Sequence, residues 1–343
     1  MKETRNISQE TRGWWYRLVS WPGTPIQSPA RLPLLSDSDS NTPPHSLPTP
    51  RLGLALSSGG AKALADIGVI QILEENNIPI HAVSGSSMGA YIGALWAAGH
   101  NGEQLEALAA ELSSKKDLLR LAQPAFPPKK GLLHGEKIKS HLARSLGEIH
   151  FEELDKELFI VATNLHSHHR AVFQSGRVLD AVHASIAIPG VFVPVEIDGE
   201  SFVDGGASDP LPVSVLRNNP QLDAIIAVST LPVPHRSKRH RPHHPHKIPK
   251  PKNHFRRLTH RLNKELNFFA KGNMVDILRS SAMASQLRLA HHAAKDADVV
   301  LTPHDIDGAW HDYLNHRKYI ELGRKTAQEK LSKIKSLMAA HAA

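Results

Sequence analysis

From Leu52 onward the chain alternates between short runs of apolar residues and longer runs whose apolar positions recur every three or four residues. "LGLAL" (52–56) and "IPIHAV" (78–83) read as strands buried on both faces, the pattern of a parallel sheet covered by helices. Each run ends in a glycine-containing turn, "SSGG" (57–60) and "SGSSMG" (84–89). A helical pattern follows each turn: "AKALADIGVIQILEENN" (61–77), then "AYIGALWAAG" (90–99), closed by Gly99. Strand, turn and helix, repeated, predict a βαβα unit in an α/β fold.

The same reading predicts further elements. "LEALAAELSS" and "GEKIKSHLARSLG" are expected to be helices, and "LFIVATNL" (158–165) and "DAIIAVST" (223–230) buried strands. "RVLDAVHASIAI" is a helix stopped by Pro189 and Gly190. In "FVPVEIDGESFVDGG" (192–206) the pair Asp198-Gly199 marks a two-residue hairpin turn. A long helix is expected at about 274–295, then the strand "ADVVLTP" and a closing helix from Tyr319.

Composition changes the picture at the flanks. Eight prolines between residues 22 and 50 exclude a long helix there and predict a linker. Before it, "RGWWYRLVSW" holds Trp14, Trp15 and Trp21, which reads as a docked tail or an interfacial membrane anchor. The formal charge is +8, but residues 235–261 hold ten Lys or Arg and no acid, and without them the balance is −2. That segment suits an anionic membrane surface better than nucleic acid, with a solvated loop as the plain alternative. The expected organisation is a tail and linker (1–50), a catalytic domain in two parts (51–234 and 274–335), a basic insertion (235–273) and a tail (336–343). The absence of cysteine excludes disulfides and thiolate chemistry. With no secretory signal pattern and no apolar run of spanning length, a cytoplasmic protein, peripheral on the membrane at most, is expected.

Ser87 is the first candidate for chemistry. Flanked by Gly85 and Gly89 between a strand and a helix, it fits a sharp turn that exposes a nucleophilic hydroxyl; an ordinary tight turn is the plain alternative. Gly59 and Gly60 lie in the neighbouring strand-to-helix turn, so their amides can reach the same crevice at the carboxyl ends of the strands. Lys62 falls in the first helical turn. The string lacks the spacing of a phosphate-binding loop. Asp204, followed by Gly205 and Gly206 in "VDGG", is a candidate base, though spacing alone does not single it out from other acids. His291, His292, His304 and His311 follow it in the chain order of a Ser-His-Asp hydrolase. His243, His244 and His246 form a tract that reads as solvated rather than as a metal site, so neither metal nor cofactor is expected.

These strings together resemble the patatin-like phospholipase family. "LALSSGGAKALADIGVIQILEE" resembles its glycine-rich motif, "GSSMG" its nucleophile motif, "ASIAIPGVFVPV" (184–195) a recurrent stretch, and "VDGG" its acid motif. The resemblance implies a three-layer α/β/α fold with a mostly parallel sheet. It also implies a Ser87–Asp204 dyad with Gly59 and Gly60 as the oxyanion hole, and hydrolysis of acyl esters of lipids. Ser58 and Ala63 stand where the family string usually has glycine, which leaves a catalytically weak membrane-binding or adaptor protein as the alternative. An aspartate base further predicts activity to lower pH than a histidine base, unless burial raises its pKa.

Overall fold

Strand β1 (Leu52–Leu56) has all five residues buried and lies between β2 (Ile80–Ser86) and β7 (Ala224–Val228), parallel to both. The computed structural model describes residues 49–111, 120–127, 130–231, 274–303 and 308–340. Within them one sheet has the order β5-β6-β3-β2-β1-β7-β8, with β4 paired to β3. Here β3 is Glu157–Asn164, β4 Arg170–Phe173, β5 Val195–Ile197, β6 Glu200–Asp204 and β8 Val299–Leu301. Strands β1, β2, β3, β7 and β8 run parallel; β4, β5 and β6 pair antiparallel.

The two faces of the sheet carry separate cores. Leu52, Leu54 and Leu56 point to one face and Ala55 to the other, as the period of two requires. The first face is covered by α1 (Ala65–Glu75), α2 (Met88–Ala97), α3 (Gly102–Glu111), α4 (Glu136–Leu146), α5 (Val178–Ser185) and α8 (His316–Ala340). The second is covered by α6 (Val213–Arg217) and α7 (Met274–Ala293). The fold is therefore a three-layer α/β/α sandwich on a mostly parallel sheet. α1 and α8 cross closely at Gly68 and Gly323, where a methyl on either would run into the backbone of the other helix.

The elements depart from the sequence reading in three places. The turn after β1 winds first as a 3₁₀ helix over Gly60–Leu64 before α1 begins. The closing helix starts at His316 and runs to Ala340, so residues 336–340 continue the domain rather than form a tail. β4 and α6 had no mark in the pattern: β4 is partly exposed along its length, and α6 has only five residues. The hairpin turn is as expected, with Asp198 and Gly199 at φ 51° and 81°. The unit Met1–Ser46 is separate from Leu47–Ala343 and lies, with its tryptophans, outside the described residues. So does the basic segment 235–261. No described helix is long and apolar enough to cross a membrane.

Candidate active site

The edge of β3 sets the spacing of the site. Ile160 and Val161 pair with β2 on one edge and with β4 on the other. Ala162 and Thr163 also pair with β4, so β6, their second partner, must share the edge used by β2. β2 leaves that edge with Ser86 opposite Val161, and β6 takes it over with Asp204 opposite Ala162. Ser87 and Asp204, far apart in sequence, are thus delivered to adjacent registers of one strand.

Ser87 sits at φ 56°, ψ −124° at the start of α2. A residue with a side chain is strained there, and the strain turns its hydroxyl out of the helix. The geometry depends on close approach by neighbouring glycines. A methyl on Gly85 would meet Ala90 Cα at 2.6 Å, and one on Gly89 would meet the carbonyl oxygens of Leu56 and Ser57 at 2.6 Å. The Ser87 amide donates to Ser185 Oγ at 2.9 Å, and Ser185 Oγ donates to the Val161 carbonyl at 2.6 Å. Ser185, buried at the end of α5, therefore clamps the turn.

Ser87 Oγ donates to Asp204 Oδ2 at 2.5 Å. Asp204 Oδ1 accepts from the Gly206 amide at 2.8 Å, and the backbone of Asp204 is held by Thr163 Oγ1 and Ala187 O. Burial pushes the Asp204 carboxyl up to about 6, against the pull of its bonds from Ser87 and Gly206. The buried Tyr313 phenol lies near enough for the Asp204 charge to help keep it protonated, although burial is the larger cause. Asp209, three residues past Gly206, is tied to Arg170 at 2.7 Å and returns its amide to Gly205 O.

The loop after β1 approaches from the other side. Its backbone is held by Ser57 N to Val228 O at 3.1 Å, Ser58 N to Pro210 O at 2.8 Å and Ala61 N to Trp310 O at 2.7 Å. Thr230, just past the end of β7, braces it, bonding Ser57 Oγ and the Ser58 carbonyl. The Gly59 and Gly60 amides have no hydrogen-bond partner among the described residues. Gly60 is left-handed at φ 59°, and a methyl there would strike the Trp310 carbonyl; Gly59 lacks room for one because of Thr230 Oγ1. Lys62 lies half-buried in the 3₁₀ turn. Ala63 is buried within that turn and is not left-handed, so the backbone does not require glycine there. The same holds for Ser58.

A cavity of about 370 Å³ joins these parts, lined by Ser58, Gly59, Gly60, Ser87, Asp204 and apolar side chains including Ile188, Leu231 and Met283. A serine hydroxyl, a carboxylate and two glycines with unbonded amides thus line one largely apolar space, the minimum set of groups for acyl transfer. Of the candidate histidines, His291, His292 and His311 are exposed and none lines this cavity; His304 lies outside the described residues. Among those residues no cluster of His, Asp or Glu could hold a metal ion, and His243, His244 and His246 lie outside them. Sequence reasoning gave no role to Ser185, Thr230 or Trp310. Their only mark was membership of ordinary strand, helix and loop segments, and their parts depend on contacts across the fold.

Residues 54–217 match the family model of patatin-like phospholipases. An uncharacterized NTE family protein of Mycobacterium tuberculosis is 41% identical over 183 residues, 53% of this chain and 49% of that protein. The lysophospholipase NTE1 of Yarrowia lipolytica is 29% identical over 167 residues, 48% of this chain and 12% of that protein. The chain thus spans about half the length, or much less, of the curated relatives it matches. Among solved structures, VipD from Legionella pneumophila aligns over 86% of this chain and 68% of its own, at 15% identity and a TM-score of 0.43. Over residues 54–217, just under half of the chain, the protein is therefore similar to the patatin-like phospholipase family.

Proposed function

We propose that the protein hydrolyses carboxylic esters of lipids, of the phospholipase A or lysophospholipase type, through a Ser87–Asp204 dyad. The observation that carries this reading is the 2.5 Å bond from Ser87 Oγ to Asp204 Oδ2 at a strained turn. Asp204 takes the hydroxyl proton as Ser87 Oγ attacks the ester carbonyl. The oxyanion that forms is held by the Gly59 and Gly60 amides. The tetrahedral intermediate collapses, the proton passes from Asp204 to the leaving alcohol, and the acyl group stays on Ser87 until water removes it. Apolar lining by Ile188, Leu231 and Met283 suits an acyl chain, and the lysophospholipase name of a relative supports a lipid ester. The basic segment 235–261 is proposed to hold the enzyme at an anionic bilayer, since each Lys or Arg near such a surface contributes about 1 kcal/mol.

A scaffold that binds membranes but has lost its activity is the competing reading. The helical backbone at Ala63 and the unbonded amides at Gly59 and Gly60 favour the enzyme. The test is labelling by a fluorophosphonate, together with hydrolysis of lysophospholipids, diacyl phospholipids and p-nitrophenyl esters in anionic vesicles. We expect a single adduct on Ser87, turnover that Ser87→Ala abolishes, and sedimentation with anionic vesicles that high salt weakens. No adduct on folded protein would sink the enzyme reading, and salt-independent sedimentation would sink the electrostatic one.

A further inference from the structure

The Ser58 hydroxyl is buried, with 5% of the residue exposed, and has no hydrogen-bond partner among the described residues. An unbonded hydroxyl in such a place costs on the order of 1–3 kcal/mol. Its backbone is fixed on both sides, through Ser58 N to Pro210 O at 2.8 Å and Thr230 Oγ1 to Ser58 O at 3.3 Å. It lines the same cavity as Ser87 and Asp204.

Gly206 shows which way the hydroxyl faces. A methyl on Gly206 would stand 3.0 Å from Ser58 Oγ and 2.9 Å from Asp204 Oδ1. The hydroxyl therefore lies toward the carboxylate loop, and both Ser58 and Asp204 line the cavity that holds Ser87. Gly206 is not left-handed, so its lack of a side chain, rather than its backbone freedom, is what matters here. A hydroxyl and a carboxylate that line one cavity this close together can jointly orient one water in it, which needs two or more polar partners to be held.

We propose that Ser58 binds and orients the water that releases the acyl group from Ser87. The inference rests on the Ser87–Asp204 reading above and deepens it. In the second half-reaction the water oxygen bonds to the acyl carbonyl carbon while one water proton passes to Asp204. The carbonyl electrons move onto the oxygen facing Gly59 and Gly60. The bond from the carbonyl carbon to Ser87 Oγ then breaks, Oγ recovers the proton from Asp204, and a free carboxylic acid leaves. Ser58 keeps its own proton throughout and acts only by hydrogen bonding to the attacking water. The first half-reaction involves no water, so Ser58 has no part in it. Glycine at this position could not supply the hydroxyl.

The test separates the two half-reactions. Wild-type protein, Ser58→Ala and Ser58→Gly are mixed with p-nitrophenyl butyrate. Release of p-nitrophenol in the first turnover gives the acylation rate, and intact-protein mass after substrate exhaustion gives the decay of acyl-Ser87. Both variants should acylate at the wild-type rate and lose the acyl group about ten- to a hundredfold more slowly, the scale on which misplacing one reactant slows a step. Their melting temperatures should stay close to wild type, because no hydrogen bond within the protein is removed. Unchanged decay would overturn the proposal. Acylation and decay slowed equally would overturn it too, and would make Ser58 an oxyanion donor instead. Absence of any acyl adduct on Ser87 in the wild type would mark failure of the dyad itself.

Discussion

In the proposed dyad, burial is what would make Asp204 useful as a base. A solvated carboxylate is too weak to hold a serine proton, but Asp204 is pushed up to about 6 by loss of water around it, and its bonds from Ser87 and Gly206 only partly offset this. The base must be ionised to act, so kcat/KM should fall about tenfold per pH unit below pH 6 and level off above it. The low-pH activity expected of an aspartate base is thereby lost, and the profile alone does not tell it from a histidine. Temperature does, because a carboxyl ionises with little heat and an imidazolium with much more. The kinetic pKa for p-nitrophenyl ester hydrolysis should therefore stay nearly constant as temperature is raised. Asp204→Asn should lose about 10²–10⁴ in kcat, the usual worth of a positioned base, whereas His291→Ala, His292→Ala, His304→Ala and His311→Ala should leave it nearly unchanged. A histidine variant as damaged as Asp204→Asn would refute the dyad.

At the scale of elements, what was legible in the sequence is what local pattern controls. Buried strands β1, β2 and β7 show as short apolar runs, and the hairpin shows through Asp198-Gly199. Ser87, Gly59 and Gly60 stood out as candidates because glycines mark tight turns, whereas Asp204 was singled out only by the resemblance of its string to the family's acid motif. The tandem pairing of β2 and β6 along one edge of β3 was not, since register between distant strands leaves no local mark. Nor were Trp310 and Ser185, which act on Gly60 and Ser87 from remote parts of the chain. Glycine itself needs the structure for its meaning. Gly205 has no room for a methyl, which would strike the backbone carbonyl of Val161 and force β6 off β3, whereas Ala63 sits in helical backbone that glycine would only loosen. Gly205→Ala should therefore lose about 1–3 kcal/mol in urea unfolding, the usual cost of forcing atoms into a packed interior, and most of its esterase activity. Ala63→Gly should gain no activity. A Gly205→Ala protein with wild-type stability and turnover would show that β3 does not set the distance between the dyad residues.

For the whole molecule, the chemistry proposed for the site and the fold's stability oppose each other. Asp204 is raised to about 6 in the folded protein, above its ordinary 3.8. The folded state therefore holds a proton that the unfolded chain releases between those two values, so stability falls as pH rises through that window and is flat beyond it. A shift of that size corresponds to about 3 kcal/mol at neutral pH, taken from a protein whose total is on the order of 5–15 kcal/mol. Asp66 adds to the same slope. It lies fully buried in the first turn of α1, neither carboxylate oxygen has a partner among the described residues, and burial raises its pKa well above the ordinary value. Its contribution likewise declines as pH rises above about 4, at up to about 1.4 kcal/mol per unit, until the folded-state value is passed. Removing either charge should flatten the dependence. Urea unfolding at intervals from pH 4 to 8 should show wild type losing stability across that range, while Asp204→Asn loses less between pH 4 and 6 and ends more stable at pH 7, though inactive. Asp66→Asn should show the same flattening with the dyad intact. Its oxygen-free alternative, Asp66→Leu, should be more stable still at pH 8 if its volume is accommodated. Curves for both asparagine variants that run parallel to wild type would mean that neither carboxyl carries its proton into the fold, and the aspartate would then be no stronger a base than one in water.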